Sequence, residues 1–277
     1  ISGAAQEATI STSRWTRRCL AVMAALAAGL SSAGAAEPDL AARLKLLVAA
    51  YPESLAGVEG NRLVFHDGGP PLMIDDGKAK DHQAALAAGD IEDSLRQLYP
   101  LGACDRKPAV DDDPGRVRSD ALMMRLYGNS AKAVEADLVA VDWFGETLRV
   151  TRRQGAAAAL EKVRDALAEK PGLKRYLAPS AGTFNWRKVS GAPNMSVHSF
   201  GAAIDLNTKF ADYWIWSGGK PGRVPKYVNK YPLEIVEIFE RYGFVWGGRW
   251  YHYDTMHFEY RPELVAIAKA AGASACR

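Results

Sequence analysis

Asp205 stands in Ala203-Ile204-Asp205-Leu206, a run that reads as a buried strand. An ionised carboxylate among apolar neighbours is costly unless it is paired or bound to a metal. Any fold of this chain must therefore bring a partner to that carboxylate. One candidate lies seven residues earlier, at His198 in Ser196-Val197-His198-Ser199-Phe200-Gly201. Gly201 between the two polar residues favours a tight turn or a close backbone approach. Such a turn would bring His198 and Asp205 to one point. Two ligands fall short of a catalytic zinc site, which takes three protein ligands and keeps one position open.

The third ligand is expected downstream, in Trp250-Tyr251-His252-Tyr253-Asp254-Thr255-Met256-His257-Phe258-Glu259-Tyr260. Met256, Phe258 and Tyr260 alternate with His257 and Glu259, so as a strand the two sets face opposite ways. Asp254 falls where that strand would begin, within reach of a water on a metal held by His257. The residues thus predict His198, Asp205 and His257 on a metal, with Asp254 as general base. Each has a plainer reading by itself: a core histidine, a strand histidine bonded to Glu259, a turn aspartate.

Ser-x-His-x-x-Gly-x-Ala-x-Asp followed by Asp-x-x-His resembles the zinc D-alanyl-D-alanine peptidases of the VanY/VanX type, which share a fold core with the hedgehog signalling domain. The resemblance is strongest from about Gly182 to Leu264. It implies one zinc per chain on His198, Asp205 and His257, and an acidic base at Asp254. It also implies Arg187, in Thr183-Phe184-Asn185-Trp186-Arg187, as the group that stabilises the oxyanion. Substrate contacts are expected from Ser196, Trp250, Tyr253 and His252. Their structural alternatives are a turn cap for Ser196, a structural role for His252, and packing for the two aromatics.

The chain begins with features of an export signal. Arg14, Arg17 and Arg18 precede an apolar run from Cys19 to Leu30, and Ala33-Gly34-Ala35-Ala36 follows. That is the layout of a secretory leader over residues 1–36, too short and alanine-rich for a good membrane span. Removing it takes three Arg and one Glu from 35 basic and 32 acidic residues, leaving a formal +1. No nucleic-acid footprint remains. Cys104 and Cys276 stay, and in an exported protein a disulfide between them is plausible.

Residues 37–150 read as an N-terminal extension and 151–277 as the zinc peptidase domain. A first helix is expected to about Ala50, a strand over Asn61 to Phe65, a helix over Ile91 to Tyr99 and a strand over Leu148 to Thr151. Asp75 to His82 reads as a solvated loop. Lys107 to Arg118 also reads as a loop, since Asp111-Asp112-Asp113 lacks the ligand spacing of an EF-hand. Arg116 or Arg118 is expected to buttress the site or bind a substrate carboxylate. Three further helices are expected: one opened by Gly155, one from Tyr231-Pro232 closed by Gly243, and one after Pro262. Helices and short antiparallel strands interleave without a βαβ rhythm, so the fold class is α+β: a small sheet flanked by helices, with an N-terminal extension.

The function this implies is hydrolysis of peptide bonds in peptidoglycan stem peptides by a monomeric periplasmic or extracellular enzyme. D-Ala-D-Ala carboxypeptidase and L-Ala-D-Glu endopeptidase are both open. The alternative is a non-catalytic zinc module of the same fold that binds cell-wall peptides or a protein partner. A serine hydrolase is disfavoured, because no Gly-x-Ser-x-Gly elbow occurs.

Overall fold

The sheet that carries the site is built from three short strands: β6 (Ala203–Asp205), β7 (Phe244–Trp246) and β8 (His257–Tyr260). β8 lies in the middle and pairs antiparallel with both neighbours. Its register sets Asp205 opposite His257, Ile204 opposite Phe258 and Ala203 opposite Glu259. Side chains alternate along a strand, so Ile204, Phe258, Phe244 and Trp246 fall on one face, all buried in one apolar cluster. Asp205, His257 and Glu259 fall on the other. The structure is a computed structural model that describes residues 37–190 and 192–276. The leader expected in residues 1–36 lies outside them.

The apolar face is covered by α6 (Ala156–Ala168) and α8 (Leu233–Arg241), and by the hairpin of β4 (Leu138–Trp143) and β5 (Glu146–Thr151). Leu160, Val163 and Leu167 of α6 are buried there, as are Ile235, Ile238 and Phe239 of α8. Gly243, with φ of 89°, follows the end of α8, in the left-handed conformation expected beyond a helix terminus. The hairpin turns through Phe144 and Gly145, both at positive φ, the arrangement that matches the twist of two-residue hairpins. β5 runs across the position at which the sequence reading ends its extension.

Before the hairpin come α1 (Leu40–Ala50), a three-stranded antiparallel sheet of β1 (Leu55–Glu59), β2 (Arg62–Phe65) and β3 (Leu72–Met73), then α2 (His82–Ala88) and α3 (Ile91–Arg96). Two further helices follow, α4 (Asp120–Tyr127) and α5 (Ala131–Glu135). Asp39, Asp81, Asp90, Ser119 and Ser130 cap α1 to α5 with their side chains, each accepting from an N–H that the helix leaves unpaired. The stretch read as a solvated loop is irregular from Asp75 to Asp81, and α2 starts at its last residue, His82. α3 stops at Arg96, short of the expected Tyr99: Gln97 is already extended, and Tyr99, before Pro100, sits where helix is disfavoured.

The short α7 (Lys174–Leu177) and the last helix α9 (Pro262–Ala270) complete the elements. Leu47, Tyr51, Leu95 and Leu126 share a second apolar cluster with Leu264 and Ile267 of α9, so the first and last parts of the chain bury one another. Cys104 and Cys276 are joined by a disulfide beside the bridge between Leu101 and Ser274. The class is α+β, with small antiparallel sheets flanked by helices. Among the described residues no helix is long and apolar enough to cross a membrane.

Candidate metal centre

Residues 197–200 form a single 3₁₀ turn, closed when the Gly201 N–H donates to the His198 carbonyl. Gly201 has φ of 62°, and a Cβ there would stand 2.5 Å from Leu138 Cδ2. Only glycine meets both demands. Its carbonyl accepts from Thr151 N–H, which pins the turn to β5. The chain then enters β6, and His198 Nε2 lies 3.1 Å from Asp205 Oδ1. The register of β6 on β8 brings His257 Nδ1 to 3.0 Å from the same oxygen and 3.1 Å from His198 Nε2.

The remote nitrogen of each ring fixes where its proton sits. His198 Nδ1 donates to the Thr183 carbonyl at 3.0 Å. A carbonyl only accepts, so Nε2 carries the lone pair. His257 Nε2 donates to Glu259 Oε2 at 3.2 Å. Glu259 is fully buried and faces Arg118 at 3.5 Å and Arg261 at 3.3 Å. Burial would raise its pKa, but Arg118, His257 and Arg261 bring it down to about 2. With both remote nitrogens donating, His198 Nε2 and His257 Nδ1 are the ring atoms left for a metal, and they face a carboxylate oxygen. Metal-bound histidines are oriented in this way. Tetrahedral coordination with bonds of about 2.0–2.1 Å puts ligands about 3.3 Å apart, close to the spacing seen. The donor set fits a divalent metal such as zinc.

The electrostatics agree. Burial disfavours the charged form of Asp205, yet His198 and His257 overcome this and hold its carboxyl well below the usual range. Burial also opposes a charge on His257, but Asp205 and Glu259 push its pKa up to about 10. The metal-free protein therefore keeps a proton on His257, which a metal must displace.

Asp254 sits beside the triad. Its backbone N–H donates to Gly247 O at 3.0 Å. A Cβ on Gly247 would stand 2.5 Å from the Asp254 carbonyl, so this approach needs glycine. Asp254 Oδ1 is buried and has no hydrogen-bond partner. Burial and the Asp205 charge raise the carboxyl to about 6. The carboxylate lines a cleft of about 220 Å³ with the triad, Ser196, Trp250, Arg187 and Arg116.

The other sequence candidates divide. Ser196 lines the cleft, but its carbonyl and not its hydroxyl closes the turn, so it is no side-chain cap. Trp250 forms a wall, its ring 5.5 Å from that of His257 and its Nε1–H on Pro114 O at 2.7 Å. Arg187 is exposed at the rim, positioned by a bond from its N–H to Ser199 Oγ. Tyr253 is not among the residues that line the cleft: it packs on Tyr227 with its hydroxyl 3.3 Å from Ser217. His252 is tied into a different cluster. Asp113 Oδ2 lies 2.7 Å from both His252 Nδ1 and His82 Nε2. Gly222 N–H donates to His252 Nε2, so the His252 proton is on Nδ1 and is spent on Asp113. That cluster spends His252 Nε2 on a backbone N–H, whereas the inner nitrogens of the triad meet only one another and Asp205.

Sequence reasoning missed the clamp on Asp113, since nothing links positions 82, 113 and 252 along the chain. It also missed the support given by Thr183 and Arg261. Glu259 was legible, because strand alternation puts it on the face of His257. Tyr213 and Trp216 prove to be cleft walls, whereas Trp214 faces a neighbouring cavity.

Residues 190–260 match the D-alanyl-D-alanine carboxypeptidase family. The VanY-type kinship thus holds over the segment that carries the whole triad and Asp254. No curated protein and no solved structure matches the chain. Thr183, Arg187, Arg116 and Arg118 lie before the D-alanyl-D-alanine carboxypeptidase segment, so the cleft is finished by residues outside it.

Proposed function

We propose that this protein is a zinc peptidase that hydrolyses peptidoglycan stem peptides outside the cytoplasm. The observation that carries the reading is the convergence of His198, Asp205 and His257 on one point, with the unpartnered Asp254 Oδ1 in the same cleft. Zinc on His198 Nε2, Asp205 and His257 Nδ1 would supply Lewis acidity toward the scissile carbonyl and lower the pKa of water to about 7. Asp254 takes the proton as water adds to the carbonyl carbon, then passes it to the leaving amine. Arg187 offers its guanidinium to the charge that develops on the carbonyl oxygen. Ser196 and Trp250 hold the peptide, with Tyr213 and Trp216 as further walls.

The match to the D-alanyl-D-alanine carboxypeptidase family supports carboxypeptidase action on D-Ala-D-Ala, and L-Ala-D-Glu endopeptidase action is the other outcome. Export follows from the leader, with a mature N-terminus near Ala36 or Glu37, and the disulfide suits an oxidising compartment. Digesting purified muropeptides with the zinc-loaded protein and weighing the products tests the whole reading. Loss of a terminal D-Ala identifies the carboxypeptidase, and a released L-Ala end identifies the endopeptidase. No cleavage across the panel, with about one zinc per chain firmly held, would leave the non-catalytic module in its place.

A further inference from the structure

Beside the metal cleft lies a second chamber of about 290 Å³. The two share Arg116, Arg118, Val189 and Ser190 in their walls. The outer wall comes from elsewhere: Leu86 and Ala87 of α2 close one side, and Trp214, Ile215 and Pro221 the other. α2 lies far outside the segment that matches the peptidase family.

Two features make the chamber a built site. The first is unmet polarity. Asn194, Trp214 and Arg118 are 7%, 5% and 5% exposed and all line it. Asn194 Oδ1, Trp214 Nε1 and Arg118 Nε are buried without a hydrogen-bond partner. Burying such atoms unpaired is costly, and a polar ligand would pair them. The second is charge. Arg116, Arg118 and Lys220 line the chamber and no acidic residue does. Arg118 is engaged by Glu259. The Arg116 guanidinium makes one long bond, to the His252 carbonyl at 3.5 Å, and stacks on Trp250. Neither Arg116 nor Lys220 has a carboxylate partner among the described residues.

We propose that this chamber is a second substrate subsite, which takes an internal acidic residue of the peptide whose scissile bond lies at the triad. The inference rests on the peptidase reading above. Its apolar walls take the aliphatic stem of such a residue. Arg116, Lys220 and the Trp214 N–H take its carboxylate, in charge-assisted bonds stronger than neutral ones. Because the chamber lies beyond the wall shared with the cleft, it reads a residue removed from the bond that is cut. α2 thereby makes the chain before the family segment part of substrate recognition.

The test compares a stem pentapeptide bearing a free D-Glu carboxylate, the same peptide with that carboxylate amidated, and the dipeptide D-Ala-D-Ala, which is too short to reach. Wild type should favour the acid over the amide by about tenfold in kcat/KM, as expected for one charge-assisted bond. Ala87→Trp, at an exposed position of α2, fills the chamber, and Lys220→Glu reverses its charge. Both should abolish the preference and leave turnover of the dipeptide within about twofold. Equal rates on acid and amide by wild type, or a preference that survives both variants, overturn the subsite while the peptidase reading stands. If wild type cuts nothing, the peptidase reading fails. Titrating the same peptides into zinc-loaded protein, followed by tryptophan fluorescence, then decides: tighter binding of the acid that Lys220→Glu removes upholds the subsite, and equal or absent binding overturns it.

Discussion

Asp205 and Asp254 are two carboxylates in one cleft held in different states by their neighbours. Two histidines keep Asp205 ionised, while Asp254 has an unpartnered oxygen and a carboxyl raised to about 6 by burial and by Asp205. Asp254→Asn keeps the shape and removes the proton acceptor. Turnover of muropeptides should fall by about 10²–10⁴-fold, with zinc content unchanged by metal analysis. Asp205→Ala should lose metal and turnover together, and an equal loss of metal in both variants would make Asp254 a ligand. His82 carries a second test at this scale. Burial opposes its charge, but Asp113 raises its pKa above 6.5, and the two histidines hold the Asp113 carboxyl well below 3.8 although burial opposes this. The His82 contribution to stability is complete below its unfolded value and is lost as pH rises through the raised one. The Asp113 contribution is present above its unfolded value and is lost as pH falls. NMR titration should place the His82 midpoint above 6.5, and Asp113→Asn should bring it down.

At the scale of elements, the site depends on one turn and one register. The 3₁₀ turn at 197–200 delivers His198 because Gly201 reverses the chain against Leu138 and Thr151. Gly201→Ala puts a side chain into a left-handed conformation and into Leu138. The strain should cost about 1–3 kcal/mol, read by denaturant unfolding, and zinc should be held more weakly as His198 moves. Unchanged unfolding and unchanged metal retention would show that the turn tolerates a side chain. The register of β6 on β8 matters as much, since a slip by one residue would send His257 to the face of Phe258. Burial of Ile204, Phe258 and Trp246 in one cluster with residues of α6 and α8 opposes that slip.

On the scale of the whole molecule, the chain before the family segment takes part in the site. α1 and α9 share a core with Tyr51 and Leu264, and Glu263 of α9 accepts from the Tyr51 hydroxyl. Arg261, paired with both Glu263 and Glu259, links that core to His257. The disulfide closes a loop of 172 residues across the same region. Replacing Cys104 and Cys276 by Ser should lower stability by about 2–5 kcal/mol and leave the zinc content of the folded protein unchanged. Equal unfolding midpoints for the oxidised and the double-Ser protein would count against this.

The sequence by itself determined the triad. His198, Asp205 and His257 are legible because a buried carboxylate needs a partner, and because strand alternation separates His257 from Phe258. It determined the helices opened or closed by glycine and proline, since those signals act within a few residues. Only the tertiary structure decided the rest. The Asp113 clamp, the hold of Arg118 on Glu259, and the chamber between α2 and Trp214 join residues 31 to 141 positions apart. No local pattern encodes such pairings. They arise when separate apolar faces bury one another and carry their polar residues into contact.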